Sequence, residues 1–339
     1  MPFRFRFHAL WSAVAFVLLY AAVPPAPSRA EDVISAIHIY PRNTVYTLSF
    51  LRFVEKVNAA GKSVVRIVVK GGPEAIAMIE QPRAVRNGVV EMGYLPGYLY
   101  GADVPEVDAM LGANLSVRET RANGGRDLLN EAHQKRFAVV YLAQMDAGIG
   151  YHIYMKDEPK YKNDFTLDMS GVKIRDNPLF SPFFRALGAD VVALNAPDVM
   201  SAIEKGGAEA VGWTSIGALD SNWHRVLGYR IEPRFMNTDL GVIVNQEKWK
   251  KLTPQSRQIL LKIAAEHEIS SATEMAKLAQ DERAELLKRG MKFMQLPEEA
   301  ERAFKTQAAT AVWDRMRERL KARNDEAAWS RVREKFYRE

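Results

Sequence analysis

Two hydrophobic rhythms alternate along the chain. "VISAIHIY" (33–40) and "SVVRIVVK" (63–70) are short runs rich in β-branched residues, as expected of strands. Between them Tyr46, Phe50, Phe53, Val54 and Val57 recur at helical spacing, and Gly61 closes that helix. A helix through Arg83–Arg86 stops at Asn87–Gly88, and "VVEMGYL" and "FAVVYLAQ" supply two further strands. A second series starts near Gly150: the strand "GVKIR", a helix marked by Phe180, Phe183, Phe184 and Leu187, the strand "DVVALN", and the helix "PDVMSAIEKGG". In that last helix Pro197 suits the first helical position and Gly206–Gly207 the exit. "AEAVGW" reads as a strand, and "LGVIVNQEKW" as a strand running into a helix capped by Asn245. Two long helical stretches follow Thr253–Pro254 and "LPEE".

Strands and helices in alternation predict α/β units whose active surface lies at the carboxyl ends of the strands. Two such series predict two lobes with a cleft between them, where ligands tend to bind.

The first thirty residues break the pattern. Arg4 and Arg6 precede an apolar run from Ala9 to Val23, followed by "PPAPSRAED" with small residues at Ser28 and Ala30. This is the pattern of a secretory signal peptide cleaved near Ala30. The run is short of the ~20 residues a membrane span needs. The chain therefore reads as a free protein of the periplasm. It has no cysteine, which removes disulfides, thiolate metal sites, a cysteine nucleophile and a lipoprotein anchor from consideration. The formal charge of +6 includes three arginines in residues 1–30, so the remainder carries +3. No dense basic cluster is interleaved with aromatics, and nucleic acid is not an expected partner. The basic run "RMRERLKAR" (315–323) contains an acid and reads as a solvated helix face.

Catalytic signatures are missing: no G-x-S-x-G, H-E-x-x-H, Walker loop or G-x-G-x-x-G occurs. The six histidines show no metal-ligand spacing, and His133 and His267 read as solvated helix positions. No enzyme activity, cofactor or metal is expected. Binding chemistry remains, and its candidates stand at strand ends: Arg175, His152, Trp213, Tyr98, and Tyr40 and Asn43 of the "YPRN" loop. Asn177, two positions beyond Arg175, is taken with them. Glu74 reads as a solvated loop acid, and Trp223 and His224 as helical residues packed in the core. Arg175 raises the sharpest question, since it puts a permanent charge at the end of an apolar strand. A guanidinium can clamp a carboxylate with two parallel hydrogen bonds, or it can pair internally with an acid such as Asp176.

The segment "GVKIRDNPLFSPFFRALGADVVALNAPDVMSAIEKGGAEAVGW" resembles the signature region of the substrate-binding proteins of TRAP (tripartite ATP-independent periplasmic) transporters, the family 7 extracellular solute-binding proteins. "AVRNGVVEMGYLPGYL" upstream and "LGVIVNQEKWKKLTPQSRQILLKIAAE" downstream resemble two further segments of that family, in its order. The resemblance implies a two-lobed periplasmic binding fold with long C-terminal helices. The lobes would be discontinuous, 31–148 with 239–278 and 149–238 with 279–339. It implies capture of a carboxylate-bearing organic acid by hinge closure and delivery to the transporter's membrane subunits, with the family's ligand-pairing arginine falling on Arg175.

Two departures are informative. Many members carry a second arginine upstream, where this chain has "GIGYHIYM" with Tyr151 and His152. Many carry an asparagine where this chain has Trp213. The pocket thus reads as less polar than a dicarboxylate or sialic-acid site, and a monocarboxylate fits at least as well as succinate. A periplasmic enzyme or an orphan ligand sensor on the same scaffold are the alternative readings.

Overall fold

The computed structural model describes Met1 and residues 30–177, 179–194 and 198–338. Nearly all of the expected leader, and Pro197, lie outside the described residues.

The first half of the chain builds β1 (Asp32–His38), α1 (Val45–Ala60), β2 (Val65–Gly71), α2 (Gln81–Arg86), β3 (Met92–Pro96), α3 (Asp108–Gly112), α4 (Val117–Ala122), α5 (Gly125–Phe137) and β4 (Val139–Gln144). A second group follows: β5 (Gly150–Met155), β6 (Lys160–Tyr161), β7 (Leu167–Asp168), β8 (Lys173–Asp176), α6 (Ser181–Ala186), β9 (Asp190–Ala193), α7 (Val199–Glu204), β10 (Ala210–Thr214), β11 (Tyr229–Glu232) and β12 (Met236–Asn237). The chain then returns with β13 (Leu240–Asn245) and ends in α8 (Gln246–Lys251), α9 (Pro254–Lys288), β14 (Lys292–Gln295), α10 (Glu298–Lys321) and α11 (Glu326–Phe336).

Local signals explain most boundaries. The Thr44 side chain caps α1 by accepting from Thr47 N–H, and the Gly61 N–H closes the helix on the Val57 carbonyl at 2.7 Å. Phe50, Phe53, Val54 and Val57 form its buried face. Asn245 caps α8, and Thr253 caps α9 with Pro254 in its first turn.

The strands form two main sheets. The first has the order β2-β1-β3-β13-β4, with β1 parallel to β2 and β3, and β13 antiparallel to both its neighbours. The second has the order β14-β11-β5-β10-β8-β9, with β12 also on β5. The chain crosses between them at β4–β5 and at β12–β13. Each sheet packs its own core; that of the second includes a ring cluster in which Phe183 lies 5.1 Å from Phe235 and 5.2 Å from Phe304.

Two helices strap both cores. Helix α9, 35 residues and about 52 Å long, gives Leu260, Ile263 and Ala264 to the first core and Leu286 to a core on the second sheet. Helix α10 gives Phe304 and Ala308 to the second-sheet core and Trp313, Met316 and Leu320 to the first, where α11 also packs. The chain from Trp313 on thus belongs with the first core, whereas the expected division assigned 279–339 to the second.

Three side-chain expectations are corrected. His133 and His267 are buried, not solvated. His133 Nδ1–H donates to the Leu129 carbonyl at 2.6 Å while Nε2 faces the Tyr100 hydroxyl, and His267 packs on Phe53 beside Ser49 and Lys56. The run 315–323 is not simply a solvated face, because Arg315 binds the fully buried Asp108 with two hydrogen bonds of 2.8 and 2.9 Å.

Candidate functional site

The strand ends of the two sheets meet where the chain crosses between them. Arg175 stands near the end of β8, opposite Val211 of β10. It is half-buried, and its Nε–H donates to the Leu194 carbonyl at 2.9 Å. Its guanidinium carbon lies 5.5 Å from the centre of the Trp213 ring. Among the described residues Arg175 makes no ion pair, and its two terminal nitrogens have no hydrogen-bond partner. Asp176 points to the other face of the strand, as successive residues do, and accepts from the Ser181 hydroxyl. Burial lowers the Arg175 pKa from its ordinary value, while Asp176, Tyr98 and Tyr151 oppose that shift. The result is a charged fork with idle donors at a strand end, suited to a planar anion.

Trp213 forms one wall. It is half-buried on β10 and meets Trp223 edge-on, with centroids 4.8 Å apart at 70°. Its Nε1 is buried without a partner among the described residues. The turn at Gly217, with φ +102°, passes so close that a Cβ there would stand 3.1 Å from this nitrogen. Glu282 of α9 holds that turn by accepting from the Gly217 and Leu219 N–H groups at 2.8 and 3.1 Å.

Tyrosines approach from the first sheet. Tyr98, just past β3, lies close enough to the Asn177 side chain and to Arg175 for both to act on its phenol. Its backbone N–H donates to Asp239 Oδ2 at 2.7 Å. Tyr46, at the start of α1, donates from its hydroxyl to Thr214 Oγ1 at 2.9 Å and lies 5.2 Å from the Tyr40 ring. From the second sheet Tyr151 leans on Phe180 at 4.6 Å. Burial pushes up the phenol pKa of all four tyrosines, so they serve as neutral hydrogen-bonding groups.

The structure therefore brings Arg175, Trp213, Tyr98 and Asn177 together. His152 is the cross-strand partner of Trp213 on β5, but its ring is taken up within the second lobe and it is only 5% exposed. Its Nδ1–H donates to the Ile231 carbonyl at 3.1 Å, with Glu232 Oε2 at 3.3 Å, and Nε2 faces the Ser215 hydroxyl at 3.1 Å. Burial and the adjacent Arg230 hold this imidazole well below its ordinary pKa, so it is neutral. Asn43 is exposed in the turn before α1. Glu74 is also exposed and accepts from the Gly72 N–H at 2.7 Å. Sequence reasoning passed over Tyr46, Thr214 and Asp239. Tyr46 looked like a core position of a helix, and nothing local marks the other two.

Among the described residues no group of three or more His, Cys, Asp or Glu side chains could hold a metal ion, and no helix is long and apolar enough to cross a membrane.

Residues 37–320 match the family model of the bacterial extracellular solute-binding proteins, family 7. The chain belongs to that family. It is a solute-binding component of a TRAP-type transporter, not an enzyme, and membership places its work in the periplasm.

Solved structures share the fold of this solute-binding protein. An extracytoplasmic solute receptor of Bordetella pertussis binding pyroglutamic acid is 20% identical, with TM-score 0.73 and coverage of 90% of this chain and 99% of the other. A TRAP periplasmic solute-binding protein of Pseudomonas putida with bound D-glucuronate is 21% identical, with TM-score 0.67 and coverage of 88% and 96%. One from Desulfovibrio desulfuricans with bound sn-glycerol-3-phosphate is 15% identical, with TM-score 0.74 and coverage of 91% and 98%. The ligands of these solute-binding proteins differ in size and in anionic group.

Proposed function

We propose that this solute-binding protein captures a small organic acid through a single carboxylate, docked on Arg175 against Trp213, and hands it to the membrane subunits of its transporter. The observation that carries this reading is the pair of unengaged Arg175 nitrogens beside the Trp213 ring, close enough to Tyr98 to act on its phenol. One arginine with aromatic walls suits a flat monocarboxylate better than an acid with two carboxylates, because a second buried charge would find no partner. Two of the similar structures hold carboxylic acids, pyroglutamic acid and D-glucuronate. The leader ending near Ala30 delivers the chain to the periplasm.

Tyr46, Tyr98, Thr214 and Asn177 supply the contacts that are better made with the two sheets drawn together, and only such differential contacts can drive closure. A thermal-shift screen of the purified protein tests the reading. It would include pyroglutamate, keto and aromatic monocarboxylates, succinate, glycerol-3-phosphate and uncharged sugars. A ligand at 100 times its dissociation constant adds about 2.7 kcal/mol to stability. Stabilisation by monocarboxylates, lost in Arg175→Ala, is expected. Stabilisation confined to the phosphate ester or to uncharged sugars would overturn it.

A further inference from the structure

A cavity apart from the Arg175 dock opens where the chain crosses between the two sheets. It holds about 380 Å³ and takes its walls from both crossings, through Gly148 and Asn237, from Ala272 in the middle of α9, and from the segment that leads into α4. Arg234, two residues before β12, lines it and also an adjoining cavity of about 280 Å³ against α10. None of Arg175, Trp213, Tyr98 and Asn177 lines either one. We propose that this cavity is a second binding site, that it takes a small carboxylic acid with an apolar body, its carboxylate on Arg234, and that an occupant there biases closure of the two sheets. The link to closure rests on the hinged reading above; the site itself does not depend on Arg175.

Arg234 is a cation held in place without an acid of its own. Its stem crosses closely over Gly150 at the start of β5, where a Cβ would fall 2.5 Å from Arg234 Cδ and 3.3 Å from its Cγ. Only glycine allows that approach. Among the described residues Arg234 makes no hydrogen bond and no ion pair, and the nearby acids are committed elsewhere. Glu232, which acts on Arg234 electrostatically, accepts from the Arg230 Nε–H at 2.9 Å. Glu119, on the cavity wall, accepts from the Ser116 N–H and hydroxyl at 2.9 and 2.8 Å and pairs with Arg338 at 3.1 Å. Lys305, the other cation of the adjoining cavity, pairs with Glu301. A guanidinium with free donors, pinned at a cavity, matches the planar fork of a carboxylate.

Much of the remaining wall is apolar, with Met110, Leu115, Val117 and Phe336 on it. A pocket of this size, apolar but for a few placed polar groups, suits a small molecule. The walls also belong to both sheets: Gln144 ends β4 of the first, and Asn237 ends β12 of the second. Their spacing changes as the sheets move. An occupant therefore binds the open and closed forms unequally, and such a difference is what shifts closure.

The test uses benzoate as probe and Arg175→Gln as background, so that the dock contributes nothing. The amide resonances of Gly148 and Asn237 are followed through the titration, and benzoate should shift both saturably. Adding Arg234→Gln should weaken binding about tenfold, as for loss of a charge-assisted hydrogen bond. That variant loses no partner, so its thermal melt should be unchanged. Acetate lacks the apolar body and benzyl alcohol lacks the charge, and each should bind about tenfold more weakly than benzoate. Shifts that are absent, fail to saturate or survive Arg234→Gln overturn the site. Acetate or benzyl alcohol binding as tightly as benzoate overturns the ligand class. Small-angle scattering of Arg175→Gln should change on saturation with benzoate, and identical curves overturn the link to closure. Failure of the Arg175 dock leaves all these outcomes standing, because every arm is run without that arginine.

Discussion

The Tyr46 hydroxyl and Thr214 Oγ1 join the two sheets directly, 2.9 Å apart and 168 residues apart in the chain. The Thr214 hydroxyl itself donates to the Ile216 carbonyl at 2.6 Å, so the tyrosine is the donor of the pair. Tyr46→Phe removes that donor and keeps the ring. A net loss of about 1 kcal/mol is expected, and under the closure proposed above it falls on the form in which the two sheets are drawn together. Small-angle scattering should show a larger radius of gyration for the ligand-free variant, with unchanged circular dichroism. Identical scattering curves would count against a latch.

Arg175→Ala should weaken binding of the best carboxylate in the screen by roughly 2–5 kcal/mol, as for a truncated charge pair. Arg175→Lys should recover little, because an ammonium cannot match the fork. Stability should change by about 1 kcal/mol, since Arg175 contributes only the Leu194 hydrogen bond and its contact with Trp213. Calorimetry and thermal melts separate the two effects. Unchanged affinity in Arg175→Ala would sink the assignment.

Gly148, in the β4–β5 crossing, cannot accept a side chain. A Cβ there would fall 1.8 Å from the Ala272 carbonyl oxygen in the middle of α9. That oxygen is backbone and cannot swing aside, so the crossing itself must shift. Gly148→Ala should destabilise by roughly 2–3 kcal/mol in urea unfolding, and a loss within 0.5 kcal/mol, ordinary for a surface change, would contradict this geometry.

Two buried groups should tilt stability with pH in opposite directions. His267 is held down to about 4 by burial, with Lys56 and Arg52 adding to it. The unfolded chain protonates this residue near 6.5, so it binds more protons than the native state between about 4 and 6.5. The stability is present above that window and is lost as pH falls through it. Asp239, raised to about 7 by burial, has the reverse sign: the native state binds more protons above the ordinary carboxylate range, and stability falls as pH rises to 7. Relative to wild type, His267→Gln should gain roughly 2–3 kcal/mol on going from pH 7 to 4.5, and Asp239→Asn a similar amount from pH 5 to 8. Urea unfolding at the four pH values checks both slopes, and parallel profiles would refute them.

The sequence by itself determined the alternation of strands and helices, most helix ends, and the place of Arg175 at a strand end. These are legible because period, caps and turn residues act within a few positions of one another. It also carried the family resemblance, since three motifs stand in order along one line of text.

The tertiary structure alone decided which polar residues meet. Tyr98 and Asp239 are 141 residues apart and touch only because β13 returns to pair with β3. His152 looked like a site residue from its place in the chain, and it does stand opposite Trp213, but Ile231, Glu232 and Ser215 engage both of its ring nitrogens. His133, His267 and Arg315 sit on helices among polar neighbours, and only the packing of distant segments buries the histidines and gives the arginine its buried acid. Hydrophobic periodicity records which face of an element turns inward. It does not record which partner waits there, because that depends on contacts made by residues far away in the chain.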